Sequence, residues 1–340
     1  MSGFQSQAGH VGFRTQSAKG VFANPTTNGV FMRIRDGGLG GNRELMIPDP
    51  EIGGNRDVPD ALLGPVAFAG EYNYYARMES LATLLRGAFG TSSSATSGSG
   101  PTLVGTHTIT PIEGADLPWL SIEEKIGDGL DAFRYTDARV NTVHLEADAA
   151  GYLMGTSGLI ALTQVAIGAA SANPAPDFDT TELMVGSNIT VAFDSVDLRA
   201  KSFNFDFNNN MEDDDFRLGS LFLGDAVPKR RECTLGVTLR PETRDLWRQA
   251  VYGDPNATQA QGTVVKSDVL VTCESYAVIG SSASLYTLEL EIPVAAIEPF
   301  DFTPSGDDII QYDATIRCLR PDPNDLLVTA TVKNGLATVL

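Results

Sequence analysis

Histidine, cysteine and tryptophan are scarce in this chain of 340 residues, with three, three and two copies. His10, His107 and His144 are scattered, and none has a His or Cys neighbour at metal-ligand spacing, so no zinc site is expected. Cys233, Cys273 and Cys318 are odd in number and lack CxxC spacing. They read as reduced structural thiols in a chain assembled in a cytoplasm, without a disulfide framework. No apolar run approaches membrane-spanning length, and residues 1–30 lack the apolar centre of a signal peptide, so a soluble chain with no conventional leader is expected. Basic residues are few as well: 24 Lys+Arg stand against 43 Asp+Glu, a formal charge of −19. Such a surface repels phosphate and anionic lipid, which argues against tight nucleic-acid or membrane binding, though not against a duplex sliding past.

Enzymatic signatures are also missing. There is no GxSxG, P-loop or HExxH, and Asp36-Gly-Gly-Leu-Gly-Gly41 misses the GxGxxG spacing. Glu123 and Glu124 beside Trp119 could suggest a glycosidase pair, but adjacent strand residues point to opposite faces and cannot flank one bond. The run Glu212, Asp213, Asp214, Asp215 lacks the alternating ligands and glycine of an EF-hand. No catalytic, cofactor or metal site is expected.

What the chain does have is a repeat. Glu79-Ser-Leu-Ala-Thr-Leu-Leu-Arg-Gly-Ala-Phe-Gly90 recurs as Glu242-Thr-Arg-Asp-Leu-Trp-Arg-Gln-Ala-Val-Tyr-Gly253, a shift of 163 residues. Met78, Leu81, Leu84, Leu85 and Ala88 form one apolar helical stripe, with Gly90 placed as a C-terminal cap and Pro241 near the start of the second copy. Further matches keep their order at shifts of up to 169 residues. Leu198–Lys201 answers Met32–Arg35, and Leu218–Ser220 answers Ile52–Gly54. Arg231–Leu239 answers the strand at Gly64–Tyr72. Tyr286–Ile292 matches the strand around Leu120–Glu124, and Ile310–Arg317 matches residues 141–148. Duplication predicts two domains of ordinary size.

The organisation expected is an N-terminal arm at 1–30, a first domain at 31–155, a crossing at 156–190, a second domain at 191–318 and a C-terminal arm at 319–340. Loops are expected at 36–63, at 91–100 and at 202–217, although Phe203, Phe205 and Phe207 alternate as strand positions do. Val143, Leu145 and Ala147 alternate with His144, Glu146 and Asp148, the pattern of a strand with one buried and one polar face. Leu120–Ile126 reads the same way, with Ser121, Glu123 and Lys125 on the polar side. Carboxylates recur on such polar faces in both halves: Glu123, Glu146, Asp148, Glu289, Glu291 and Asp313. That bias suits a surface that lets a polyanion pass without gripping it.

With the repeat in place, the sequence resembles the tail tube proteins of long-tailed bacteriophages. The resemblance rests on Phe13-Arg-Thr-Gln-Ser-Ala-Lys-Gly20, Gly64–Tyr72 running into Glu79–Gly90, and His107-Thr-Ile-Thr-Pro111. It continues through Leu117-Pro-Trp-Leu-Ser-Ile-Glu-Glu-Lys-Ile-Gly127 and Val140-Asn-Thr-Val-His-Leu-Glu-Ala-Asp148. It covers residues 10–150 best, and no Pro-Trp-Leu segment precedes Tyr286–Ile292. The resemblance implies a mainly β fold with flanking helices: two tandem β-sandwich domains whose strands join an intersubunit β-barrel, stacked as rings into a tube that conducts DNA. It implies a ring of three chains in preference to six, with tail terminator, tape measure and tail-tip proteins as partners, in a virion tail assembled in the bacterial cytoplasm. The six carboxylates named above would line the channel, and residues 212–215 would belong to an inter-ring loop. A tail-tip or adhesion module that binds a host surface is the alternative.

Overall fold

The structure, a computed structural model, describes residues 6–49, 51–53, 57–58, 60–114, 116–127, 131–168, 172, 175–240, 243–301, 310–323 and 325–339. The fold is mainly β and its strands pair antiparallel throughout. In the first half, β1 (His10–Thr15), β2 (Val30–Met32), β3 (Ile34–Met46) and β4 (Leu62–Tyr75) lead into helix α1 (Met78–Phe89). There follow β5 (Gly90–Ser97), β6 (Val104–Pro111), β7 (Leu120–Lys125), β8 (Ala132–Asp148) and β9 (Met154–Ile167). The second half holds β10 (Ile189–Phe193), β11 (Val196–Asp197), β12 (Ser202–Asn208), β13 (Glu232–Leu239) and helix α2 (Asp245–Tyr252). It ends with β14 (Ser267–Val278), β15 (Leu285–Ile297), β16 (Tyr312–Cys318) and β17 (Thr329–Asn334).

The halves share a pairing order. In the first, β2 pairs β1, β1 pairs β7, β7 pairs β8, β8 pairs β9, β9 pairs β4 and β4 pairs β3. In the second, β11, β10, β14, β15, β16, β13 and β12 follow one another in the same way. Even an irregularity recurs. Leu120 and Ile122 face Ala138 and Tyr135, so β8 carries an extra residue; Ser267 and Val269 face Ala295 and Ile292, so β15 carries one too. A bulge costs ladder bonds and bends its strand, so two at matching places are hard to assign to chance.

This order corrects two sequence matches. Residues 286–292 lie on β15, which stands where β8 stands and not where Leu120–Glu124 does; Ile310–Arg317 largely coincides with β16, the counterpart of β9. The helix match holds, but Pro241 and Glu242 lie outside the described residues. Leu198–Lys201 forms no strand, falling between β11 and β12.

The expected arms and loops also differ. The segment at 1–30 contributes β1, with Val11 and Phe13 buried, and the segment at 319–340 contributes β17, which pairs both β15 and β6. β9 runs well into the expected crossing at 156–190. The expected loops at 36–63, 91–100 and 202–217 contain β3, β5 and β12. β3 and β5 are rich in Gly, Ser and Thr and mostly exposed, so they carry no apolar alternation; main-chain pairing with β4 and β6 makes them strands. One continuous core joins Tyr72, Tyr74 and Leu84 of the first half to Phe205, Leu235 and Leu290 of the second.

Candidate functional site

β8 is long enough to serve two neighbours on one edge. Its first residues pair β7, while Thr142–Asp148 pair Asn208–Ser202 of β12, and β9 occupies the other edge along its length. The two halves thereby join into one run: β3, β4, β9, β8, β12, β13, β16 and the end of β15. One cross-strand row crosses all eight: Asp36, Asn73, Thr156, His144, Asp206, Thr234, Arg317 and Ala296. None of these is buried, whereas Phe203, Phe205 and Phe207, the intervening residues of β12, are. Strict alternation thus gives the run one apolar face for the core and one polar face.

The polar face is acidic. Adjacent rows place Glu71 and Glu232 on one side, and Glu146, then Asp148 with Asp313, on the other. The cations present are held. Arg317 donates from Nε to Glu298 at 2.7 Å. His144 Nδ1 lies 2.6 Å from Asp206, and its Nε2 lies 3.5 Å from Glu146. The hydrogen bond with Asp206 raises the His144 pKa and lowers that of Asp206. Thr238 donates to Asp313 at 2.6 Å, which fixes that carboxylate without neutralising it, and Asn204 donates to Asp206 at 2.8 Å. Glu71, Asp148 and Glu232 make no ion pair among the described residues. Such a face offers fixed negative charge and hydroxyls. Among the described residues no group of three or more His, Cys, Asp or Glu could hold a metal ion.

Of the carboxylates singled out in the sequence, Glu146, Asp148 and Asp313 come together here. Glu289 and Glu291 lie earlier on β15, where it pairs β14 and β17, away from this run. Glu123 must be removed from the set of exposed carboxylates. It is fully buried, 2.9 Å from Arg134 Nη2 and 3.1 Å from His10 Nε2, because β7 is covered on both faces. Asp36, Glu71, Asp206 and Glu232 were missed. Glu71, Asp206 and Glu232 lie on strands with visible alternation and could have been found from it; Asp36 needed the register.

At one end of the run lies an apolar surface. Leu45, Met46, Ile47, Leu62 and Leu63 are exposed where β3 and β4 approach their connection, and Ile52 is fully exposed. Leu218, also fully exposed, and Leu221 belong to the long connection between β12 and β13. That connection touches the start of β4: Val66 N–H donates to Leu221 O at 2.8 Å. That second connection has a small core of its own, Met211, Leu223 and Ala226 against Leu117, Ile160 and Leu162, with Trp119 beside it. Arg139 covers Trp119 at 3.6 Å and donates to Ala226 O at 2.7 Å. Within it Glu212 pairs Lys229, Asp215 pairs Arg217, and Asp213 and Asp214 are exposed.

The family described as phage tail tube protein matches residues 6–318. The chain belongs to this family. As a tail tube protein it is a structural component of the virion tail, and the mainly β fold agrees with that. No curated protein matches the sequence. No helix among the described residues is long and apolar enough to cross a membrane.

Proposed function

We propose that the chain assembles with copies of itself into stacked rings that form the hollow tail tube, a negatively lined conduit through which DNA is ejected. The observation that carries this reading is the acidic polar face of the eight-strand run. Each half supplies four strands to it, which supports reading the halves as tandem tube domains. Three copies would close a barrel of about 24 strands with pseudo-sixfold symmetry; a ring of three is therefore the reading favoured over six. The lining residues are Glu71, Glu146, Asp148, Asp206, Glu232 and Asp313. A wall of fixed carboxylates repels the phosphate backbone and keeps the duplex from sticking as it passes.

The apolar surface around Ile52 and Leu218, with the exposed Asp213 and Asp214 nearby, is read as the contact between stacked rings, since an exposed patch of that kind marks an interaction site. Tail terminator, tape measure and tail-tip proteins would meet the ends and lumen of such a tube, assembled in the bacterial cytoplasm.

Electron microscopy of the purified chain tests this. The expected result is stacked rings, three chains per ring, with Glu71 and Asp148 facing the lumen. A chain that stays dispersed at high concentration, or a tube with that face outward, would end the reading.

A further inference from the structure

β8 and β12 form, inside one chain, a seam between halves that the pairing order otherwise treats as equivalent. The equivalences can be fixed residue by residue. The shared bulge sets Ala295 of β15 at the place of Ala138 of β8. Beyond it, Val140 and Val143 face the core in β8, and Ile297 and Phe300 keep that spacing, Phe300 stacking on Tyr312 at 4.5 Å between ring centres. Asp301 therefore stands where His144 stands. Following the registers through β9 and β4, Gly40 of β3 stands where Asp206 of β12 stands.

In the first half the seam is filled: His144 lies directly opposite Asp206. In the second half the corresponding edge beside Phe300 and Asp301 has no strand neighbour among the described residues, and neither has the outer edge of β3. β3 pairs only β4. Its Leu39 N–H donates to Glu124 at 3.3 Å and its C=O accepts from Tyr135 at 2.6 Å, so side chains occupy main-chain groups that a neighbouring strand would bond. Gly37, Gly38, Gly40 and Gly41 leave that edge almost bare of side chains, and open strand edges add strands readily.

The geometry points to the outer edge of β3, centred on Leu39 and Gly40, as the docking site for a second copy of this chain, which adds the strand continuing its β15 at Phe300–Asp301. The seam repeats the β8–β12 join between chains. This rests on the tubular reading and gives it a residue-level contact.

The test is a cysteine pair, Gly40→Cys with Asp301→Cys. Both positions tolerate it: a Cβ at Gly40 meets nothing within 4 Å, and Asp301 is exposed. His144→Cys with Asp206→Cys is the control, a bridge within one chain at equivalent places. After assembly and mild oxidation, the control should close internally. The test pair should give a denaturing-gel ladder ending at three chains, absent from either single variant and reversed by reductant. Tubes that form normally but yield only single chains, while the control closes, would overturn the seam and leave the tube standing. A ladder running to six would keep the seam and overturn the ring of three. An unaltered chain that forms no tube would overturn both.

Discussion

In α1 every residue except Glu79 and Arg86 is buried; in α2, Gln249 and Ala250 are the buried ones. Yet both helices end on an aromatic residue and a glycine at positive φ, 105° at Gly90 and 86° at Gly253, whose N–H caps the last turn. The local chemistry is the same and the surroundings are not. After α1 the chain makes the β5–β6 hairpin, and β6 takes β17 from the far end of the chain as its neighbour. α1 consequently packs against β2, β5, β6, β8, β15 and β17. Arg86 reaches Val339 O at 3.1 Å, and Asn334 donates to Met78 O at 3.1 Å. After α2, residues 254–266 form no strand, and the helix stays on the surface. A helix written twice has become a shared core element in one copy and a surface element in the other.

The sharpest way to break this contrast is to truncate one leucine in each helix. Leu84→Ala should cost about 3 kcal/mol, because a buried side chain leaves a cavity in a core shared by both halves. Leu246→Ala, half-buried on α2, should cost less than about 1.5 kcal/mol. Urea unfolding of the dispersed chain reads both, and equal losses would mean that α1 is no more central than α2.

Ion pairs extend the contrast from apolar to charged contacts. Arg134→Ala leaves Glu123 buried without its guanidinium and should cost about 3 kcal/mol. In the second half, Lys333 and Glu289 are partly exposed and 3.8 Å apart, so Lys333→Ala should cost less than about 1 kcal/mol. Comparable losses in the same unfolding assay would show that the Arg134 pair is screened by water after all.

How much of this was legible depends on what each residue records. The stripe Leu81, Leu84, Leu85 and Ala88 and the alternation of Phe203, Phe205 and Phe207 are written in side chains, and both elements form where periodicity puts them. β3 and β5 are held by main-chain bonds, and their Gly and Ser side chains carry no record of the partner strand. The same limit applies to the acidic face. Glu146 and Asp148 show their alternation locally, but Asp36 and Asp206 become members of one row only through pairings that span the chain. Glu123 shows the opposite failure: its alternation is that of an exposed face, and only the burial of β7 on both faces, with the carboxylate held between His10 and Arg134, reveals where it lies.

The start of α1 offers the smallest and most specific test. Arg77 gives no side-chain cap; Asp179 accepts instead from Ser80 N–H at 2.7 Å. Glu79 therefore sits in a first turn that favours negative charge, but burial, then Asp179 and Asp177, push its pKa to about 7. The folded chain thus binds this proton more tightly than the unfolded chain. Stability from Glu79 is fully present below about pH 4.5 and is lost as the pH rises through about 7. Glu79→Gln should be neutral at pH 4 and stabilising at pH 8 by on the order of 1 kcal/mol, a figure reduced because the side chain is partly exposed. On α2, exposed Asp245 pairs with Arg248 at 3.7 Å, and Asp245→Asn should change stability by less than about 0.5 kcal/mol. Unfolding curves at the two pH values decide the matter: a Glu79→Gln effect that is flat with pH would show that the carboxylate stays ionised beside Asp179, and that α1 begins as openly in water as α2.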